Sequence, residues 1–132
     1  MATIRAYTTI EQSKKLAEIL PIESADMYYE PSTGYCTEPS EAKFGDIKYA
    51  HPRSIRCWSL TALLGVLPFH LIVNNQRYAF SMHKGLNKNG ETYMFRYNIF
   101  NTDICLYSTD YYNNPIDACV DMIEELNEMN LL

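Results

Sequence analysis

The sequence predicts an α+β fold: an antiparallel sheet of about four strands with two to three helices packed on one face. Three observations carry this. Residues 70–108 alternate apolar and polar side chains with period two. Residues 114–128 show a helical apolar stripe that begins at a proline. Residues 8–12 contain a capping box. The apolar fraction is 47% of 132 residues, enough for one core, and the chain is read as a single domain, 1–132.

The first helix follows Thr8 or Thr9, since Thr8 with Glu11 and Thr9 with Gln12 both satisfy the capping pattern. It should stop near Leu20, because Pro21 disfavours helical geometry at the residue before it. Met27–Glu30 and Tyr35–Glu38 flank Pro31-Ser32-Thr33-Gly34 and read as a short hairpin. Residues 39–56 show no period, and long irregular stretches of this kind often carry function. A second helix starts after Ser59, a natural N-cap, with Trp58 and Leu63 placed as a hydrophobic staple. It is apolar all round and ends at Pro68, so burial is expected.

Strands are expected at His70–Asn74 and Arg77–Met82 around an Asn75-Gln76 turn, then at Glu91–Phe100 and Ile104–Ser108. Parity puts Tyr78, Phe80, Met82, Tyr93, Phe95, Tyr97 and Ile99 on a dry face. Arg77, Ser81, Arg96 and Asn98 fall on a wetter, basic one. The last helix has Asn114 as cap, Pro115 at N1 and a stripe of Ile116, Cys119, Val120, Ile123 and Leu126.

Composition narrows the function classes. The net charge of -5 is the wrong sign for a general nucleic-acid binder and too small for a duplex mimic. Charge is segregated, however: residues 47–101 hold seven basic and one acidic side chain, and residues 102–132 hold seven acidic and none basic. A basic middle can steer an anion, or it can complement acidic elements of the same or another chain. Eleven tyrosines suit interfaces, stacking pockets and the rim of a small core alike.

Met1-Ala2-Thr3-Ile4-Arg5-Ala6-Tyr7 lacks the apolar stretch of a signal peptide, and the apolar run 62–73 is too short to span a bilayer. A cytosolic protein without membrane contact is expected. Its cysteines, Cys36, Cys57, Cys105 and Cys119, lie far apart in the chain and are expected as free thiols.

No motif of catalysis is present: no phosphate-cradling glycine loop, no nucleophile elbow, no zinc or calcium pattern. No catalytic residue, metal or cofactor is therefore assigned. His51, His70 and His83 are not brought together by any spacing, although His70 and His83 could be neighbours across the first sheet hairpin. Asp117 with Asp121, and Glu124 with Glu128, are four apart on a helix face, where such pairs ordinarily serve as solubilising charge.

The candidate ligand site is the start of the second helix. Arg53 and Arg56 precede Trp58 and Ser59, and a helix N-terminus offers free N–H groups to an anion. Arginine adds planar phosphate recognition and Trp58 an aromatic face. Tyr28 and Tyr29 complete the set.

Five segments together carry a resemblance. They are Thr9–Leu16 with Ile22–Tyr29, Cys57–Leu64, Asn114–Ile123, and Leu126-Asn127-Glu128. In order and spacing they resemble a family of small uncharacterised proteins from phages and mobile elements of gut Bacteroidetes. The resemblance covers a third to a half of the chain. It implies a phage origin and a host bacterial cytosol, and carries over no catalytic residue. By analogy with small phage accessory proteins, it implies binding of a host factor or host signalling molecule.

The expectation is thus a non-enzymatic accessory protein that sequesters a small anionic ligand such as a signalling nucleotide, in counter-defence and with homo-oligomers as an option. Two alternatives stand beside it. One is a protein–protein inhibitor of a host factor using the acidic last helix or Tyr28-Tyr29. The other is a small hydrolase using His51 or His70.

Overall fold

A computed structural model describes residues 5–31 and 41–132. The fold is α+β, and the described residues form three α-helices and two antiparallel sheets. The chain divides into two compact units, Arg5–Val66 and Leu67–Leu132.

The N-terminal unit opens with α1, Ile10–Ala17. Of the two possible capping boxes the chain uses Thr9 with Gln12: the Gln12 N–H donates to Thr9 Oγ1 (3.1 Å) and the Thr9 N–H to Gln12 Oε1 (3.0 Å). Thr8 is buried instead. Its hydroxyl sits 2.7 Å from Ser13 Oγ and accepts the Trp58 N–H at 3.2 Å. The regular helix ends at Ala17, one turn before the expected Leu20.

Strands β1 (Met27–Tyr29), β2 (Lys43–Phe44) and β3 (Ile55–Cys57) form a sheet in the order β2-β1-β3. The expected strand at Met27 is present, and the second arm of its hairpin, Tyr35–Glu38, lies outside the described residues. Met27, Tyr29 and Cys57 pack with Tyr7, Ile10, Ala42 and Ile55 into a small core, and α1 lies against β3. Helix α2, Leu60–Val66, follows. Its burial is narrower than its composition suggests: Leu63 is fully buried, while Thr61 and Gly65 are exposed.

The C-terminal unit is a four-stranded meander, β4 (His70–Val73), β5 (Gln76–Asn87), β6 (Gly90–Ile99) and β7 (Cys105–Ser108), in sequence order. The first turn is Asn74-Asn75 rather than Asn75-Gln76. Both asparagines have positive φ (51° and 68°), as a two-residue turn matching strand twist requires, and asparagine tolerates that region where glutamine does not. The parity expectation holds in the register: Tyr78↔Ile99, Phe80↔Tyr97 and Met82↔Phe95 share one face, Ser81↔Arg96 and Ala79↔Asn98 the other. Met82 departs from it in burial. It lies on the dry face but is 55% exposed, because β5 continues to Asn87 and its far half runs beyond the packed region.

Helix α3, Pro115–Glu128, packs against β6. Its N-cap is the expected one, with the Ile116 N–H donating to Asn114 Oδ1 at 2.8 Å. Phe80 meets Phe95 and Tyr97 with ring centroids 5.5 and 5.4 Å apart. Asp121 accepts two phenol hydroxyls, from Tyr107 (2.6 Å) and Tyr112 (2.7 Å), tying the helix to β7 and to the segment after it.

These phenols titrate late. Burial first, then the Asp121 bond, holds the Tyr107 hydroxyl well above the ordinary tyrosine range; for Tyr112 the Asp121 bond comes first and burial second. Burial does the same for Tyr29 and Tyr97. A raised folded-state pKa stabilises the neutral phenol, so this contribution is complete below the ordinary value of about 10 and is lost as pH climbs above it. Thermal melts followed by tyrosinate absorbance should show stability falling above about pH 10, with several tyrosines ionising only on unfolding. Simultaneous titration of all tyrosines near 10 at undiminished stability would contradict the packing described.

Candidate functional site

The residues proposed at the start of α2 are positioned for structure. Arg56 reaches back to α1, donating to the Ala17 carbonyl (3.0 Å) and the Leu20 carbonyl (3.4 Å), and so satisfies the carbonyls at that helix end. Trp58 is fully buried, and its Nε1–H donates to Ser24 Oγ at 2.9 Å, which leaves no aromatic face for a ligand. Ser59 is the cap of α2, accepting the Ala62 N–H at 3.1 Å. The anion at this helix start is the chain's own: Asp26 accepts the Ser59 N–H at 2.9 Å and the Ser59 hydroxyl.

The other members are dispersed. Arg53 is exposed, and its N–H donates to His51 Nδ1 (3.1 Å). Tyr29 is buried and donates to the Thr8 carbonyl at 2.7 Å. The Tyr28 ring lies against Gly45, where a Cβ would come within 2.9 Å of it. A hollow of about 310 Å³ nearby is lined by Glu23, Asp26, Asp46 and Lys48, an acidic rather than basic surrounding.

The larger concavity lies in the C-terminal unit, on the wetter face of the meander. It measures about 590 Å³, within the roughly 300–1,000 Å³ of small-molecule sites. Ser81, His83, Arg96, Asn98, Phe100, Thr102 and Asp103 line it. Antiparallel register sets the polar row: Ser81 is directly opposite Arg96, with Ala79–Asn98 on one side and His83–Met94 on the other.

The rim is built by the β6–β7 turn. Asn101 has φ 59°, and Asn98 Nδ2 donates to the Thr102 carbonyl (3.0 Å). The Thr102 hydroxyl donates to the Ile99 carbonyl (2.8 Å) and accepts the Ile104 N–H (3.2 Å). This bonded turn holds Phe100 76% exposed at the edge of the hollow.

Within it, Ser81 Oγ and His83 Nε2 are 3.0 Å apart. Arg96 Nε is buried and has no hydrogen-bond partner among the described residues. Asp103 is the acidic member. Parity had placed Ser81, Arg96 and Asn98 together on the basic face. What single-sequence reasoning missed was that Phe100 and the turn after it close one side of that face.

His70 and His83 are not brought together. His70 pairs with Ala79, four residues along β5 from His83, roughly 13 Å at strand rise. Among the described residues no group of three or more His, Cys, Asp or Glu side chains could hold a metal ion, and no helix is long and apolar enough to cross a membrane. Cys57, Cys105 and Cys119 are free thiols; Cys36 lies outside the described residues. Burial pushes the thiols of Cys57 and Cys119 up, away from nucleophilic thiolate.

No family model, curated protein or solved structure matches this chain.

Proposed function

We propose that this protein is a non-enzymatic binding protein that takes up a small anionic ligand in the concavity on the outer face of β5 and β6. The buried Arg96 Nε without a partner carries this reading. A buried guanidinium donor left unpaired is costly, and a bound anion would satisfy it. Ser81 and His83 supply further hydrogen-bonding groups beside it.

The surroundings favour a nucleotide over a bare anion. The exposed Phe100 ring offers a stacking face at the rim. Asp103 would repel a simple phosphate but accepts hydrogen bonds from hydroxyl or amino groups. A molecule with a charged end, donor groups and a planar ring answers all three. In the setting implied by the resemblance to phage proteins, the role would be sequestration of a host signalling nucleotide in the bacterial cytosol.

Calorimetry against mono-, di- and cyclic dinucleotides tests this. Wild type should bind at least one below millimolar. Arg96→Gln should bind it roughly ten- to a hundredfold more weakly, the equivalent of losing a charge-assisted bond of about 1.5–3 kcal/mol. No binding by wild type sinks the reading. Equal binding by Arg96→Gln moves the site away from β6, and loss in Arg53→Ala would return it to the α2 region.

A further inference from the structure

Strand β5 is longer than its neighbour on one side. It pairs with β6 from Tyr78 to Asn87 but with β4 only from Gln76 to Ala79. The Phe80 N–H still reaches the Phe69 carbonyl (2.9 Å) on the β4 side. Backbone groups alternate along a strand, so those of Met82, Lys84 and Leu86 point to the same side as Phe80's. No strand among the described residues pairs with them there.

A free edge of this kind is a template for another strand, and proteins commonly blunt it with an outward lysine. Lys84 does not serve that purpose. Its ammonium is drawn onto its own sheet, 3.4 Å from Glu91 Oε1 and 5.8 Å from the centre of the Tyr93 ring. Met82 and Leu86 flank it on the same face, 55% and 81% exposed. On the opposite face His83 lies on the edge strand itself, with Ser81 two residues before it, Arg96 one strand further in on β6, and Asp103 beyond in the β6–β7 turn. No position of β4, β5 or β6 on that face is acidic.

We propose that the free edge of β5 from Met82 to Asn87 takes an extended peptide strand that alternates apolar and acidic side chains. Backbone hydrogen bonds from Met82, Lys84 and Leu86 hold the strand, as in other cases of sheet augmentation. Period two decides the rest. Side chains on one face of the added strand cover Met82 and Leu86, so they are apolar. Side chains on the other face look onto His83 and toward Arg96, so they are acidic. The backbone edge and the Met82–Leu86 face lie outside the concavity, whereas His83 and Arg96 also line it, so the apolar half of the recognition is independent of nucleotide binding and the acidic half shares its residues.

The probe is a capped heptapeptide alternating valine and glutamate, titrated into the full chain by fluorescence anisotropy and by amide-proton spectroscopy. Saturable binding is expected, with the largest amide changes at Met82, Lys84 and Leu86. Lys84→Pro removes an outward N–H and no bond to β6, so the sheet should survive while affinity falls at least about tenfold. The same loss is expected for the peptide N-methylated at alternate amides, a control that leaves the protein untouched. A valine–lysine peptide should also bind at least about tenfold more weakly.

Absence of binding at millimolar peptide overturns the proposal, and so does equal binding of the N-methylated peptide. A dimer in sedimentation that disappears in Lys84→Pro would assign the edge to a second copy, and overturns the peptide as its occupant.

Discussion

Ile123→Asp should unfold the C-terminal unit or leave it barely stable. Ile123 is completely buried in the middle of α3, on the stripe that includes Ile116, Cys119, Val120 and Leu126. Aspartate there loses the isoleucine's burial and places a carboxyl at a fully buried position. Cavity formation and charge desolvation together cost more than about 4 kcal/mol, against a typical domain stability of about 5–15 kcal/mol. Denaturant melts followed by circular dichroism provide the measurement. Glu128→Lys on the exposed side of the same helix is the comparison and should shift stability by no more than about 0.5 kcal/mol. Similar losses in the two would mean that α3 does not bury the face described.

Trp58→Ala should be the second large effect, at about 3–5 kcal/mol, the usual range for removing a buried aromatic side chain. The indole is fully enclosed and its N–H is taken by Ser24. Trp58→Phe should cost far less, about 1–2 kcal/mol, because most of the volume remains. Ser24 keeps a partner, since its hydroxyl donates to the Pro21 carbonyl. If Trp58 were instead a stacking face for a ligand, Trp58→Ala would leave the melt nearly unchanged and weaken binding. The melt therefore separates the two roles of this residue.

What could be read from the sequence followed the strength of its local signals. Asn114-Pro115 with a four-turn apolar stripe names one helix and its start, and the structure has both. Tyr93, Phe95 and Tyr97 alternate over enough residues to fix the face they share, and the structure then sets their register with β5. Of the N-terminal sheet only β1 was legible. Strands β2 and β3 are two and three residues long, too short for a period to appear. The Asn74-Asn75 turn was misplaced by one residue because composition near it favoured either reading; positive φ decides it.

The anion site at α2 shows a different limit. A cap, two arginines and a tryptophan are all real features of residues 53–59. Their partners come from 33 to 39 residues away: Asp26 for Ser59, Ser24 for Trp58 and Ala17 for Arg56. Only the fold could reveal that those donors were already satisfied. Arg96 was identified by parity as lying on the basic face, yet its lack of a partner is a property of three-dimensional packing and has no counterpart in spacing.

The strand order of the two sheets also bears on how each forms. In the meander every strand pairs with the next, and only Asn74-Asn75 separates the β4 and β5 arms. In the other sheet Tyr29 pairs with Ile55, so 25 residues must close into a loop before β1 meets β3. By loop-closure entropy the difference is about 2 kcal/mol before any side chain packs. The meander therefore forms from local contacts at small entropic cost. The N-terminal sheet depends on a long-range encounter of β1 with β3.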